Sequence, residues 1–333
     1  MSETTLGVVA VGNALVDVLA HATDDFIETH HAEHGMVKGA MTLIDSDRAV
    51  DLYMQMGPGL ESSGGSSANT IAGYASFGGK GGFIGKVAND QLGRVFVHDI
   101  RSLLIEYDTP PLTGDIPTGR CLILVTPDAQ RTMNTYLGAS VELGPEDVNR
   151  GMVTSAQVTY LEGYLFDKDR AKKAFETAAQ YAHEAGRKVA LTLSDSFCVN
   201  RHRDDFRKLI NSHIDILFAN EDEIKALYEQ SELPDALKAI DGDVEIAVVT
   251  RSEKGAVVLS AGEQAAVPAE PVAEVVDTTG AGDQFAAGFL YGLTEGMDLE
   301  KSAKLGAIAA AEVISHLGPR PETPLAELLE GVA

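Results

Sequence analysis

The stretch Asp277-Thr-Thr-Gly-Ala-Gly-Asp283 lies between two segments of different periodicity. The preceding residues 272–276 are rich in β-branched side chains, which is typical of a short strand. In the following segment, Gln284-Phe-Ala-Ala-Gly-Phe289 and beyond, apolar residues recur at the spacing of a helix. The sequence therefore predicts a strand, a glycine turn and a helix, in that order.

The glycine turn favours phosphate binding at the start of the helix. Gly280 and Gly282 allow backbone N–H groups to converge there, and a helix N-terminus has unpaired donors and a partial positive charge. An acid at that position, Asp283, could accept a proton from a hydroxyl that attacks the phosphorus. The alternative is an ordinary glycine turn in which Asp283 only stabilises the first helical turn.

Composition and charge restrict the class of protein. The 333 residues are 44% hydrophobic and 23% charged, which is typical of a soluble globular protein. The net charge of −24 argues against nucleic acid and anionic membrane surfaces as partners. Two cysteines cannot form a disulfide framework, and no apolar run is long enough to span a bilayer. We expect a cytoplasmic protein.

Polar residues follow the first predicted strand. The segment 7–12 is apolar and ends in glycine, and Asn13 and Asp17 come next. In an extended chain these two side chains share one face, where burial without partners would be costly. Recognition of a diol is one interpretation, and a turn followed by an exposed strand is the other. A second candidate is Ser63-Gly-Gly-Ser-Ser-Ala-Asn69, in which Ser66 is placed as a helix N-cap.

Strands and helices alternate from residue 140 onward, which predicts a mostly parallel sheet with helices on both faces. Ligands of such sheets bind at the carboxyl ends of the strands. Asn13, Asp195, Asn220 and Asp277 each follow a predicted strand, so we expect them along one edge. Asn220 and Glu223 also have the spacing of a helix capping box.

A histidine-rich segment, with His30, His31, Glu33 and His34, suggests metal ligands at first inspection. Its spacing fits neither His-Glu-x-x-His nor a facial triad. We interpret it as a solvated helix end.

The glycine-rich stretch 63–69 and the later stretch 277–283 resemble the N-terminal and C-terminal signatures of the ribokinase or PfkB family of carbohydrate and nucleoside kinases. The Asn220-Glu-Asp-Glu223 segment resembles the family's Asn-x-x-Glu motif. Within the family the chain is most similar to adenosine kinases, notably at 12–17, 192–197 and 214–223. It departs from them at Thr279, where Asn is common, and in having fewer aromatic residues around the expected base pocket.

The resemblance implies a ribokinase-like three-layer α/β/α fold, with a mostly parallel central sheet and a small inserted β-sheet lid. The large nucleotide-binding and catalytic domain would comprise 1–12, 63–116 and 140–333. The lid would comprise 13–62 and 117–139. In the family, monomers and dimers joined through lid sheets both occur.

The resemblance also assigns roles to residues. Asp283 would be the catalytic base, the amides of Gly280, Ala281 and Gly282 would form the anion hole, and Arg131 on the lid would reach the phosphates. The substrate would be bound by a larger set: Asn13, Asp17, Gly64, Gly65, Ser66 and Asn69. Four apolar residues are our candidates to flank a purine: Leu15, Met133, Leu165 and Phe197. ATP would be bound by Asn220, Glu223, Thr250, Ser252, Gly255 and Thr279. Mg²⁺ would be held through water by Glu223, and a K⁺ ion by Asp277, Thr279 and the turn near Ser315–Gly318.

The expected reaction is ATP-dependent phosphorylation of the 5′-hydroxyl of adenosine, which is a step of purine salvage. A kinase for ribose, fructose or another sugar of the same family is the main alternative. A non-catalytic homologue that binds nucleotide is a further alternative, against which the intact Asp283 and glycine turn argue.

Overall fold

The computed structural model describes residues 4–128 and 130–329. The thirteen strands in these residues are β1 (Leu6–Val11), β2 (Leu15–His21), β3 (Met41–Leu43), β4 (Leu60–Gly64), β5 (Gly81–Ile84), β6 (Thr118–Val125), β7 (Arg131–Gly138), β8 (Ala156–Glu162), β9 (Lys188–Thr192), β10 (Ile216–Asn220), β11 (Ile246–Thr250), β12 (Ala256–Ser260) and β13 (Glu263–Val267).

The α-helices of the same residues are α1 (Asp24–His34), α2 (Ser46–Gln55), α3 (Ser66–Ser76), α4 (Gln91–Ser102), α5 (Arg150–Ser155), α6 (Asp169–Glu184), α7 (Ser196–His213), α8 (Glu221–Tyr228), α9 (Leu233–Ile240), α10 (Ala281–Thr294) and α11 (Leu299–Val313). None of these helices combines the length and apolar character needed to span a membrane.

The main sheet has eight strands in the order β13-β12-β11-β10-β9-β8-β1-β5. The six strands β11, β10, β9, β8, β1 and β5 are parallel to one another. At the other edge, β12 pairs antiparallel with β11, and β13 pairs antiparallel with β12. Two hydrophobic clusters cover the two faces, one packed by α5 to α9 and the other by α3, α4, α10 and α11. Because the strands are buried on both faces, β1 is apolar throughout rather than alternating. The predicted three-layer α/β/α fold is confirmed.

The second sheet has five strands in the order β3-β7-β6-β2-β4. We call it the lid sheet. The sequence favours a hairpin of segments 120–126 and 131–136 around Pro127-Asp128, and these segments form the antiparallel pair β6–β7. One face of the lid sheet packs against α1 and α2. On the other face, Cys121, Ile123 and Val125 contact Met133 and Leu317. The division into a large domain and a separately moving lid, with the boundaries given above, stays a prediction.

Three predictions about local structure are wrong. Residues 272–276 do not form a strand. They follow Pro268 and Pro271, which cannot donate to a sheet, and Val276 N instead donates to Ile314 O at 2.8 Å. Asp277 therefore does not follow a strand. The sequence also favours a helix over 298–316 with Asp298 as its N-cap; the cap is confirmed, but the helix ends at Val313.

The third error concerns the start of α3. Its N-cap is Gly65, with φ of 102°, and not Ser66. Ser66 is the first helical residue, so its hydroxyl does not cap the helix and remains available for another partner.

Candidate active site

The glycine turn before α10 has the geometry expected for an anion-binding helix terminus. Gly280 is the N-cap, with φ of 73°, and a Cβ at this position would also overlap Pro319. Ala281 is the first residue of the helix. A Cβ built on Gly282 meets no atom within 4 Å, so the space in front of the first turn is open. The first intrahelical bond of α10 runs from Gln284 N to Gly280 O, so the N–H groups of residues 281–283 have no partner within the helix, although Ala281 N lies 3.4 Å from Thr278 O. Phosphate fits these donors.

Asp283 lies in the first turn of α10 and is partly buried. The Ser66 hydroxyl donates to its Oδ1 at 2.6 Å, and Asn69 Nδ2 lies 3.5 Å from its Oδ2. Burial raises the pKa of Asp283 to about 7. The two hydrogen bonds oppose this rise, and the nearby carboxyl groups of Glu162 and Asp17 add to it. A carboxylate with a pKa near neutrality suits a general base.

Asn13 is held in a fixed orientation by a residue that the sequence analysis missed. Glu162, at the end of β8, accepts from Asn13 Nδ2 at 2.6 Å and from Asn13 N at 3.2 Å. The same carboxylate accepts from the backbone and the hydroxyl of Ser67, at 2.9 and 2.7 Å. Ser140 Oγ donates to Asn13 Oδ1 at 2.9 Å. An acid at the end of an apolar strand was the only signal for Glu162 in the sequence.

Asp17 lies on β2 with 8% of its surface exposed. Burial raises its pKa to about 6, and the positive charge of Arg320 opposes this rise. No hydrogen bond from residues 4–128 or 130–329 reaches its carboxylate. A Cβ at Gly64 would overlap this carboxyl group, and one at Gly65 would overlap Asn13 O. Both glycines are thus required by close approach, and they bring the lid sheet and α3 together at Asp17.

Asn220 and Glu223 form the capping box of α8 that their spacing predicts. Glu223 N donates to Asn220 Oδ1 at 2.8 Å, and the Glu223 carboxylate accepts from Asn220 N and Nδ2 at 2.9 and 2.6 Å. Burial raises the pKa of Glu223 to about 7. The hydrogen bond from the Asn220 backbone opposes this, while Asp195, Asp222 and Asp283 add to it. Acids that repel one another in this way fit a divalent cation such as Mg²⁺.

The loop after β11 contains the residues predicted to contact ATP. Thr250 ends the strand, and its hydroxyl lies 3.5 Å from Ala219 O. Ser252 begins a short 3₁₀ turn with φ of 51°, and Gly255 ends it with φ of 81°. A Cβ at Gly255 would overlap Val267 O, so the backbone of β13 accounts for this glycine. Contact of this loop with nucleotide stays a prediction.

Arg131 links the lid sheet to the glycine turn. Its Nε forms an ion pair with Asp277 Oδ1, and its Nη2 lies 3.4 Å from Thr278 Oγ1. The Asp277 carboxylate also accepts from Thr279 N at 2.8 Å, Thr279 Oγ1 at 2.7 Å and Gly318 N at 2.9 Å. The segments predicted to bind K⁺ therefore do meet. The Asp277 carboxylate is occupied by these donors, one of them charged, so it does not fit K⁺ as a free ligand.

Three of the four apolar candidates for a purine-flanking surface share no common cluster in the structure. Leu165 is 1% exposed and packs in the hydrophobic core beside Phe166. Met133 packs on the inner face of the lid sheet. Phe197, in the first turn of α7, is 78% exposed.

The histidine segment lies at the end of α1, as predicted, but it is not wholly solvated, because His30 is buried. Ligand atoms of His30, Glu33 and His34 lie within 4.8 Å of one another. However, Arg48 Nη2 lies 3.0 Å from His30 Nδ1, and an arginine can only donate. The proton of a neutral His30 is then on Nε2. This tautomer does not suit metal binding, so we retain the interpretation as a helix end.

A helix N-terminus that fits phosphate, a carboxyl group with raised pKa and several buried polar side chains lie at one edge of a ribokinase-like sheet. These features define a phosphotransferase with an alcohol group as acceptor. The chain belongs to the pfkB family of carbohydrate kinases, whose family model matches residues 41–325. It is accordingly a sugar or nucleoside kinase.

Individual relatives agree on the family and differ in their acceptors. The chain is 51% identical in sequence to the crystal structure of adenosine kinase from Sinorhizobium meliloti, with a TM-score of 0.93 over 99% of this chain and 100% of that one. It is 28% identical to the adenosine kinase of Saccharomyces cerevisiae, over 95% of this chain and 96% of that protein. It is also 27% identical to the 5-dehydro-2-deoxygluconokinase of Geobacillus thermodenitrificans, over 80% and 82%.

Proposed function

We propose that the protein transfers the γ-phosphoryl group of ATP to the 5′-hydroxyl of adenosine and forms AMP. The observation that carries the proposal is the position of Asp283. Its carboxylate lies at the N-terminus of α10 and within hydrogen-bond reach of Ser66, beside the acceptor side chains of α3. A base at that point can serve an acceptor hydroxyl and a phosphate at the same time.

The roles of the other side chains follow from this position. Asn13 and Asp17 bind the ribose hydroxyls, with Gly64, Gly65 and Asn69 around them. Asp283 accepts the proton of the attacking 5′-hydroxyl, while the amides at the start of α10 stabilise the charge of the γ-phosphoryl group. Arg131 Nη1, which is buried and without a partner among the described residues, is available to an ATP phosphate.

Asn220 and Glu223 would hold Mg²⁺ through water, because their capping box fixes the carboxylate at the end of β10. The ion, bound together with ATP, would neutralise phosphate charge. K⁺ activation remains part of the proposal. With the Asp277 carboxylate occupied, carbonyl oxygens of the 277–279 segment and the 315–318 turn would supply most of the ligands.

Two observations support adenosine over a free sugar. The relative at 51% identity is an adenosine kinase whose whole chain is matched. Phe197, which is exposed, is the predicted residue that could stack on a base, and the proposal assigns it that role. A sugar acid remains the second candidate, because 5-dehydro-2-deoxygluconokinases match 80% of the chain and because no common purine-flanking cluster is formed by the predicted residues.

A substrate panel tests the proposal. ATP consumption is measured with adenosine, other nucleosides, ribose, fructose and 5-dehydro-2-deoxygluconate, and the substrates are compared by kcat/KM. The Asp283→Asn variant, purified in parallel, controls for contaminating kinases. We expect adenosine to give the highest kcat/KM. A sugar or sugar acid that exceeds adenosine by more than tenfold would show that the adenosine assignment is wrong, while the kinase assignment would stand.

A further inference from the structure

Arg320 belongs to the chain segment that follows α11 and was not singled out in the sequence. Gln284 Nε2 donates both to Pro319 O, at 2.9 Å, and to Asn69 O, at 3.0 Å. These bonds hold the segment between α10 and α3. Further along, Leu325 N donates to Ser76 Oγ at 2.9 Å. Arg320 is therefore held in place from both sides rather than at a loose chain end.

The Arg320 guanidinium connects the substrate side of the site to the end of the lid sheet. Its Nη1 pairs with Asp99 Oδ2 at 3.1 Å, and the same oxygen accepts from Ser63 N at 2.8 Å. Ser63 immediately precedes Gly64 and Gly65. The positive charge thus lies at the point where β4 passes into α3.

The second contact of Arg320 fixes the orientation of Asn69. Arg320 Nε donates to Asn69 Oδ1 at 3.2 Å. Since an arginine donates and never accepts, the oxygen of the Asn69 amide must face Arg320, and its Nδ2 must face Asp283. Without Arg320 the amide could rotate and present its oxygen to the base.

The third nitrogen of the guanidinium has no protein partner. Nη2 is buried and makes no hydrogen bond to any residue of 4–128 or 130–329. A buried donor left unpaired costs about 1–3 kcal/mol, so a partner supplied by a ligand would be favourable. Asp17 lies close enough for the charge of Arg320 to lower its pKa. An unpaired donor and a carboxylate without hydrogen bonds from the described residues therefore lie near one another.

We propose that Arg320 recognises the acceptor substrate: Nη2 donates to the oxygen of a ring hydroxyl whose proton is accepted by Asp17, and Nε orients Asn69. The inference rests on the proposed function only in requiring an acceptor that carries vicinal hydroxyl groups. It adds a specificity residue from the C-terminal segment, more than 250 positions from the glycine pair that precedes α3.

The test is a cycle of variants and deoxy analogues. Arg320→Gln and Arg320→Lys are compared with wild type on adenosine, 2′-deoxyadenosine and 3′-deoxyadenosine. We expect Arg320→Gln to raise KM for adenosine roughly 10- to 100-fold and to lower kcat by less than about fivefold, as for loss of one charged hydrogen bond to substrate. Arg320→Lys should restore part of the loss, since lysine donates but lacks the planar fork.

The decisive result is the dependence on the analogue. For the analogue that lacks the recognised hydroxyl, the KM penalty of Arg320→Gln should shrink at least fivefold. Equal penalties for all three nucleosides would overturn the proposal and leave Arg320 a structural residue. Arg150→Gln, which removes an exposed ion pair with Glu184, is the matched control and should not change any of the constants.

Two further measurements separate substrate contact by Arg320 from a structural role and from the choice of adenosine as acceptor. Asp99→Asn removes the ion pair but keeps Nη2, so it should raise KM much less than Arg320→Gln does; equal effects would contradict substrate contact. If the panel identifies another acceptor, the cycle is run with its deoxy analogues. If no acceptor is turned over, the proposed function fails, and calorimetric binding of adenosine and its deoxy analogues to the same variants decides the role of Arg320.

Discussion

Asp17 and Asp277 are both buried carboxylates at the junction of the lid sheet and the main sheet, and they differ in their partners. The Asp277 carboxylate accepts from Thr279 and Gly318 and forms an ion pair with Arg131. Asp17 receives no hydrogen bond from the described residues, and its pKa is raised by burial.

The contrast is between a carboxylate whose hydrogen bonds are supplied by the chain and one that would need them from a ligand. A buried carboxylate whose lone pairs are filled by the chain fixes a loop, as Asp277 fixes the turn before α10. A buried carboxylate without donors is costly unless a substrate supplies them. Asp283 resembles Asp17 in this respect, because its donors are one hydroxyl and one distant amide.

The largest effect is expected from Asp283→Asn, which tests whether the second sparsely bonded acid is the base. The change is nearly isosteric and leaves the helix start intact. Turnover should fall roughly 10²- to 10⁴-fold, the usual contribution of a general base, while the Kd for ATP changes little. Steady-state kinetics and calorimetric ATP binding measure the two quantities. Near-normal turnover would remove Asp283 from the mechanism.

The sequence predicted the parts of this site that depend on local spacing. Asn220 and Glu223 are three residues apart on one helix, so their capping box could be read directly from the sequence. The glycine turn and Asp283 lie next to one another for the same reason.

The missed residues depend on contacts between distant segments. Glu162 is separated from Asn13 by 149 positions and Arg320 from Asn69 by 251, and no local pattern indicates such pairs. Ser66 was placed as a cap because its type fits that role, yet Gly65, with positive φ, takes the position. The β-branched residues 272–276 fit a strand, but they pair with neither sheet, because the two preceding prolines cannot donate hydrogen bonds to one.

Replacing Asp277 or Asp17 by Asn should change the free energy of unfolding in opposite directions. Asp277→Asn leaves Arg131 buried without its counter-charge and should lower the free energy of unfolding by roughly 3–5 kcal/mol. Asp17→Asn should leave the free energy of unfolding at pH 8 unchanged or raise it, and should raise KM for the acceptor. Denaturant unfolding and initial-rate kinetics on both variants check this.

The pH dependence gives this pair a second readout. The pKa of Asp17 in the folded chain, about 6, exceeds the ordinary value of 3.8, so the folded chain binds this proton more tightly than the unfolded chain. Its contribution to stability is complete below about pH 4 and is lost as the pH rises through 6. As the pH rises from 4 to 7, the melting temperature of Asp17→Asn should therefore increase relative to that of wild type. Parallel curves over that range would contradict the raised pKa.

The smallest effect is expected from monovalent cations, and it concerns Asp277, the carboxylate whose hydrogen bonds are supplied by the chain. A K⁺ ion near residues 277–279 and 315–318 would stiffen the turn before α10 and add positive charge beside the phosphates. Arg131 already supplies one positive charge at Asp277, so activation should be modest, about two- to fivefold, the size of one charge interaction at a helix terminus.

Arg131→Gln removes that charge and should make the rate depend more strongly on K⁺, whereas Arg131→Lys should behave more like wild type. Rates are compared in potassium and tetramethylammonium chloride at equal ionic strength. Equal rates in the two salts for wild type and for Arg131→Gln would eliminate the cation site.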